Sequence, residues 1–307
     1  MSFNLEAVQQ ARRNIAQIAL RTPLVKLNAD GQVFLKLENL QPIGSFKIRG
    51  AANAMGNAGR EKIARGVLTA SAGNMAQGVA YCAGRMGVAA TVVTPETAPE
   101  TKLKAVQRLG GRIIKVPFDT WWRTFEERAF PGVDATFIHA FDDADVQAGN
   151  GTIGLELLED LPDLESVVVP WGGGGLCCGI AAVVKALRPS VRVYAVECET
   201  GAPLSAAFAA GRPVTVDYRP SFVDGIASKT VFPSMLELAR KLVDEVRVVT
   251  LQEAAEAMRF VAERNRVICE GAAACAVAAA RRIDGKVVAI VSGGNIDLQK
   301  FAEIAGG

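Results

Sequence analysis

Histidine is nearly absent: His139 is the only one in 307 residues. A zinc site of the H-E-x-x-H kind needs two on one helix face, so that class is excluded and little is left for a metal hydrolase. A serine nucleophile would also have to rely on His139, and no G-x-S-x-G elbow is there to present one. Charge is scarce too, at 21% of residues with a net +2 and no basic block, which suits neither a nucleic-acid face nor an acidic partner. None of the six cysteines (Cys82, Cys177, Cys178, Cys198, Cys269 and Cys275) falls in a C-x-x-C spacing. Reduced, buried thiols in a cytoplasm are the expected state. One long uncharged run exists, Val167 to Val184, but Pro170 and four consecutive glycines inside it suit a strand, a loop and a helix rather than a membrane span. Met1 to Leu20 carries Glu6, Arg12 and Arg13 and reads as a polar helix, not a leader. Chemistry is left to lysine, serine, carboxylates or a borrowed cofactor.

What is present is a core. Half of the residues are hydrophobic, which marks a folded chain. Short apolar stretches predict strands at Val33–Leu37, Val67–Thr69, Ala90–Val93, Arg112–Val116, Thr136–His139, Val167–Val169, Arg192–Val196 and Val287–Val291. Helical stretches fall between several of them, at Met75–Met86, Glu100–Leu109, Gly154–Glu159 and Leu176–Leu187. That alternation predicts an α/β fold with parallel sheets covered by helices. No internal repeat and no low-complexity linker divides the chain. Gly201–Arg219 is the least regular stretch of the second half.

Four segments are candidates for chemistry. In Gly44-Ser45-Phe46-Lys47-Ile48-Arg49-Gly50 a lysine stands between glycines, where backbone and a flat ligand can approach closely. A lysine amine attacks a carbonyl only when neutral, so burial or a nearby cation would activate it. Alone, Lys47 also reads as a solvated lysine in a turn. In the second segment, Val167–Val169 runs through Pro170 and Trp171 into Gly172-Gly173-Gly174-Gly175 and then Leu176. A glycine turn opening a helix lines up N–H groups that favour a phosphate. No Gly-Lys-Ser/Thr follows, so a phosphate monoester fits better than a nucleoside triphosphate. A flexible turn is the plain alternative. In the third, Ser71-Ala72-Gly73-Asn74-Met75 begins a helix, where Ser71 and Asn74 can donate to an anion or serve as ordinary caps. In the fourth, Ser292-Gly293-Gly294-Asn295 ends a strand, and a simple turn explains it equally well when read alone. A further match, Gly149-Asn150-Gly151-Thr152-Ile153-Gly154, has the G-x-G-x-x-G pattern but follows Asp142-Asp143-Ala144-Asp145 instead of a strand, so a nicotinamide site is rejected.

Taken together, the four segments resemble the fold-type II pyridoxal-phosphate enzymes, and within them the threonine/serine dehydratase and serine racemase family. The resemblance runs from Arg21-Thr22-Pro23-Leu24 to Ser292-Gly293-Gly294-Asn295. It implies two parallel-sheet α/β domains of the tryptophan synthase β kind with pyridoxal 5'-phosphate between them. Residues 1–51 and 144–307 would form the large cofactor-binding domain, and 52–143 a small domain inserted in it. It implies that Lys47 is the Schiff-base lysine, with Phe46 beside the cofactor, and that Gly172, Gly173, Gly174, Gly175 and Leu176 cup its phosphate. Asn74 would meet its phenolic oxygen and Ser292 its pyridine nitrogen. Ser71, Ala72, Gly73, Asn74 and Met75 would wrap the substrate carboxylate.

The implied activity is that of a lyase, a threonine/serine ammonia-lyase that turns a small β-hydroxy amino acid into a 2-oxo acid and ammonia. The chain would act in the cytoplasm as a homodimer or homotetramer, without nucleic acid or membrane. Ala72 departs from the racemases, which carry a second serine there, and Met75 stands where histidine is usual. Glu197 matches the first ligand of the family's cation site but Pro203 replaces a later aspartate, so no metal is expected. From the short stretch after Asn295, a regulatory domain of the kind in the allosteric dehydratases is not expected. Racemisation, dehydration of a hydroxyaspartate or an aryl-serine, and a non-catalytic ligand-binding relative are the alternatives. Trp121 and Trp122 read as packing residues, and His139 as structural at a strand end.

Overall fold

The computed structural model describes residues 4–29 and 31–306, so that Met1–Phe3 of the expected first helix lie outside the described residues. The strands formed are β1 (Leu24–Lys26), β2 (Val33–Leu37), β3 (Val67–Ala70), β4 (Ala90–Pro95), β5 (Arg112–Val116), β6 (Thr136–Phe137), β7 (Ser166–Pro170), β8 (Arg192–Cys198), β9 (Glu245–Val249) and β10 (Val287–Val291). The chain makes two compact units. The first takes the segment ending at Leu20 together with Gln41–Asn150; the second takes Arg21–Leu40 and the chain from Gly151. The stretch 52–143 lies within the first unit, which reaches further because helix Lys47–Ala58 packs on both helix Asn74–Met86 and helix Leu5–Ile15.

In the first unit four strands lie parallel in the order β5-β4-β3-β6. Every residue of β3 is buried, as a strand covered on both faces must be, whereas the edge strand β5 exposes Arg112 and Lys115. Ile48 and Met55 of helix Lys47–Ala58 meet Met75 and Val79 of helix Asn74–Met86 in one core with Val67 and Val92. These helices come very close: a Cβ on Gly78 would lie 3.2 Å from the Lys47 carbonyl. A side chain at that position would press on the carbonyl, so glycine suits this approach. Trp121 packs beside a smaller cluster built on Leu68, Val93 and Val116, and Trp122 stacks on Phe118 and Phe125.

In the second unit the order is β1-β2-β10-β7-β8-β9, parallel except for the antiparallel β1. β7 and β10 are buried throughout and sit side by side at the centre. Helix Gly271–Ala280 lies against them, wholly buried, with alanine at seven of its ten positions, which permits close packing on the sheet. Lys36 of β2 is fully buried, yet its amine is 2.6 Å from the Glu156 carboxylate and 2.7 Å from the Thr22 carbonyl. A buried ammonium is tolerable only when paired and hydrogen-bonded in this way.

The uncharged run Val167–Val184 divides into β7, the glycine turn and helix Gly175–Leu187, and no described helix is long and apolar enough to cross a membrane. All six cysteines are free and buried. Gly149, Gly151 and Gly154 belong to helix Ala144–Asp160, where a Cβ on Gly149 would lie 2.4 Å from the Arg49 carbonyl oxygen. Gly149 and Gly154 serve helix packing, and none of the three lies in a nucleotide loop.

Candidate active site

In open parallel sheets the carboxyl ends of the strands are where ligands bind. In the first unit the carboxyl end of β3 leads into Ser71–Gly73 and then helix Asn74–Met86. Ser71 Oγ accepts the Gly73 N–H at 3.2 Å, and a Cβ on Gly73 would find nothing within 4 Å, so the loop is open on that side. Met75 turns its side chain into the core, 2% exposed, which leaves its backbone as what it can offer a ligand. Lys47 is the first residue of helix Lys47–Ala58 and not part of a free turn; it is half-buried, and its amine lies 5.1 Å from the centre of the Phe46 ring. Lys47 Nζ donates to the Ala140 carbonyl at 2.7 Å, just beyond β6. Because Gly78 rests on the Lys47 backbone, and Asn74 is one helical turn before Gly78 on the same face, the start of that helix is brought close to Lys47.

In the second unit β7 and β10 are neighbours, so the glycine turn and Ser292 leave the same end of the sheet. Gly174 has φ of 89°, in the left-handed region, and no side chain caps the helix that starts at Gly175. A Cβ on Gly174 would lie 2.5 Å from the ring of the buried Trp171, and one on Gly172 3.1 Å from Ile226 Cα. The turn is a fixed shape with its amides at a helix start, a donor set suited to an anion. Ser292 is 2% exposed.

Other candidates are accounted for differently. Cys177 and Cys178, next to the glycine turn, are buried thiols; burial pushes Cys178 up to about 12 and holds Cys177 well above the usual thiol range. Both oxygens of Glu197 accept backbone N–H groups at the start of helix Pro203–Ala210, from Leu204 at 2.7 Å and Ser205 at 2.8 Å. Burial still raises that carboxyl to about 7. Among the described residues no group of three or more acidic, histidine or cysteine side chains is placed to hold a metal.

His139 lies past the end of β6, which stops at Phe137, and is 1% exposed. Burial first, then the charges of Arg128 and Lys47, push it down to about 3 from 6.5. The unfolded chain therefore takes up its proton more readily than the folded one. Its contribution to stability is complete above pH 6.5 and drains away as the pH falls toward 3. The stability advantage of wild type over His139→Phe, measured by urea unfolding, is expected to shrink by about 1.4 kcal/mol per pH unit below that point. A difference that does not vary with pH would contradict this.

Two residues at these strand ends escaped the sequence reading. Ala140 contributes only a carbonyl, for which there is no sequence signal. Glu270 is 5% exposed, its N–H donates to the Gly293 carbonyl at 3.0 Å, and a Cβ on Gly293 would lie 2.7 Å from its carboxylate. It is the only charged residue between Val267 and Ala280, and that isolation was a usable signal.

A family model described as pyridoxal-phosphate dependent enzyme matches residues 15–293. An L-threonine ammonia-lyase of Thermotoga maritima is 42% identical, covering 98% of this chain and 78% of that protein. A catabolic L-threonine dehydratase of Staphylococcus aureus is 38% identical, covering 98% of this chain and 91% of the other. The solved structure of maize serine racemase matches with a TM-score of 0.90 at 31% identity, covering 99% of this chain and 97% of that one. The matched stretch takes in Lys47, the glycine turn and Ser292 alike, and the chain belongs to the family of pyridoxal-phosphate dependent enzymes, with the fold-type II architecture of the threonine/serine dehydratases.

Proposed function

We propose that this lyase takes a small β-hydroxy amino acid of the threonine or serine type and releases a 2-oxo acid and ammonia. The observation that carries the reading is the Lys47 amine, on the first residue of a helix, half-buried and donating to the Ala140 carbonyl. The residues fit pyridoxal phosphate: an amine for its aldehyde, a glycine turn of fixed shape at a helix start for its phosphate, and a neutral hydroxyl at Ser292 for its ring nitrogen. When bound, that group supplies the electron sink that makes loss of the substrate Cα proton feasible.

In this reading Lys47 holds the cofactor at rest and its amine afterwards takes the Cα proton. Phe46 lies beside the cofactor, and Gly172–Gly175 with the Leu176 amide bind the phosphate. Asn74 donates to the phenolic oxygen, and Ser71–Met75 hold the substrate carboxylate with hydroxyl and backbone donors. Ser292 would offer the pyridine nitrogen a neutral hydroxyl, which cannot hold a proton there as a carboxylate would. A homodimer or homotetramer in the cytoplasm is part of the same reading, and the reduced thiols accord with that compartment. A panel of L-threonine, L-serine, hydroxyaspartate and aryl-serines, scored by 2-oxo acid formed, tests the reaction and ranks the substrates. No product from any of them would overturn it.

The likeness to a serine racemase makes racemisation the second reading. Racemisation needs a proton delivered to the face opposite Lys47, and Ala72 has no proton to give. A positioned acid or base contributes about 100-fold or more. Formation of D-serine from L-serine, followed by chiral chromatography, is therefore expected to run at least about 100-fold slower than release of 2-oxo acid. Comparable rates would overturn the role given to position 72.

A further inference from the structure

Several contacts meet at the turn after β6. Lys47 Nζ donates to the Ala140 carbonyl at 2.7 Å, and the peptide groups on either side are held one by one. The Ile138 N–H donates to the Leu68 carbonyl at 2.8 Å, and the Ile138 carbonyl accepts the Thr69 hydroxyl at 2.9 Å. The Phe141 carbonyl accepts the Gln147 side-chain amide at 3.0 Å, and the Asp142 carbonyl accepts Arg128 at 2.8 Å. The N–H groups of Phe141 and Asp142 both donate to one atom, His139 Nδ1, at 3.2 and 2.8 Å. The imidazole is buried between Phe125, at 4.3 Å between ring centres, and Phe141 at 4.8 Å. Nδ1 accepts these donors only without a proton of its own, so the neutral ring carries its proton on Nε2. An imidazolium would lose both bonds and set a second cation near Lys47. The low pKa of His139 is consistent with this.

We infer that His139 is a positioning residue for Lys47: by gathering the Phe141 and Asp142 N–H groups on Nδ1, it shapes the turn that presents the Ala140 carbonyl to the lysine amine. This inference rests on the reading of Lys47 as the cofactor lysine. A base that must take a proton from one defined carbon gains from an acceptor that fixes where its amine waits. Misplacing a reacting group by an ångström or so costs on the order of 100-fold. His139 does not touch substrate in this scheme. It acts through Ala140.

Two substitutions separate positioning from packing. His139→Asn places an amide oxygen where Nδ1 was and gives up the ring; His139→Phe keeps a ring in the aromatic cluster and gives up the acceptor. With the holoenzyme and L-threonine, or the best substrate of the panel, His139→Phe is expected to lower kcat about 10- to 100-fold with KM nearly unchanged. It should also shift the visible absorbance of bound pyridoxal phosphate. His139→Asn is expected to recover most of kcat and the wild-type spectrum. Equal turnover of His139→Phe and wild type, or poorer turnover of His139→Asn than of His139→Phe, overturns the inference. A measurement on the unsubstituted ring guards against variants that fail to fold. In protein labelled with 15N-histidine, the ring signals of His139 are expected to move when pyridoxal phosphate binds wild type, and to stay in place when it is added to Lys47→Ala. Signals that do not move in wild type also overturn it. Full turnover by Lys47→Ala would instead sink the reading of Lys47 itself.

Discussion

Lys47→Ala releases no ammonia from threonine or serine and takes up pyridoxal phosphate without the visible absorbance of the wild-type enzyme; that is the largest expected effect of a single change in this chain. The amine serves twice in the proposed reaction, once for the cofactor and once for the Cα proton. The loss should therefore exceed the roughly 10⁴-fold ceiling of one acid–base group. Unfolding would not be the cause. Lys47 opens its helix, alanine is the best helix former, and the helix is held by Ile48, Ala51, Ala52 and Met55, all of them buried. The melting temperature should stay near that of wild type, while the contact with Ala140 disappears. An active, coloured Lys47→Ala would end the assignment.

Gly174→Ala is expected to have the next largest effect, and for a steric reason. At φ of 89° an alanine is strained by about 1–2 kcal/mol. Its Cβ would also press on Trp171 at 2.5 Å and on Met235 at 3.0 Å. Trp171 is buried and cannot swing aside, so overpacking adds about 1–3 kcal/mol, and the turn has to move. Both consequences are measurable: a lower melting temperature, and weaker uptake of pyridoxal phosphate in a fluorescence titration. Gly87→Ala is the control. It has φ of 71° but open space around its missing Cβ, so it should show the backbone strain alone and leave cofactor uptake untouched. If Gly174→Ala took up the cofactor as tightly as wild type, the glycine turn would not be its phosphate site.

The parallel strands could be read from sequence because burial on both faces makes them unbroken apolar runs, as in Val167–Val169 and Val287–Val291. β9 escaped for the opposite reason: it is an edge strand, with Glu245 and Arg247 among its five residues. Helix Gly271–Ala280 escaped because it is buried all round, which removes the polar face that gives a helix its period. Helix Ala144–Asp160 was legible only near its end. The acidic residues before it looked like a turn, and Asp143 does cap its start by accepting the N–H groups of Asp145 and Val146. Of the candidate site, Lys47, the glycine turn and Ser292 are each ambiguous as local patterns and stand out in the sequence only when the four segments are taken together. Ala140 could not, because what matters is its carbonyl, and its partner lies 93 residues away in the chain.

The thiols are shared unequally between the two units: Cys82 stands alone in the first, and Cys177, Cys178, Cys198, Cys269 and Cys275 lie in the second. Since every one is buried, a maleimide in solution has to wait for the protein to open locally before it can react. Mass spectrometry of the trapped protein then tells the units apart without any engineered label. Modification at Cys82 counts openings of the first unit, and modification at the other five counts those of the second.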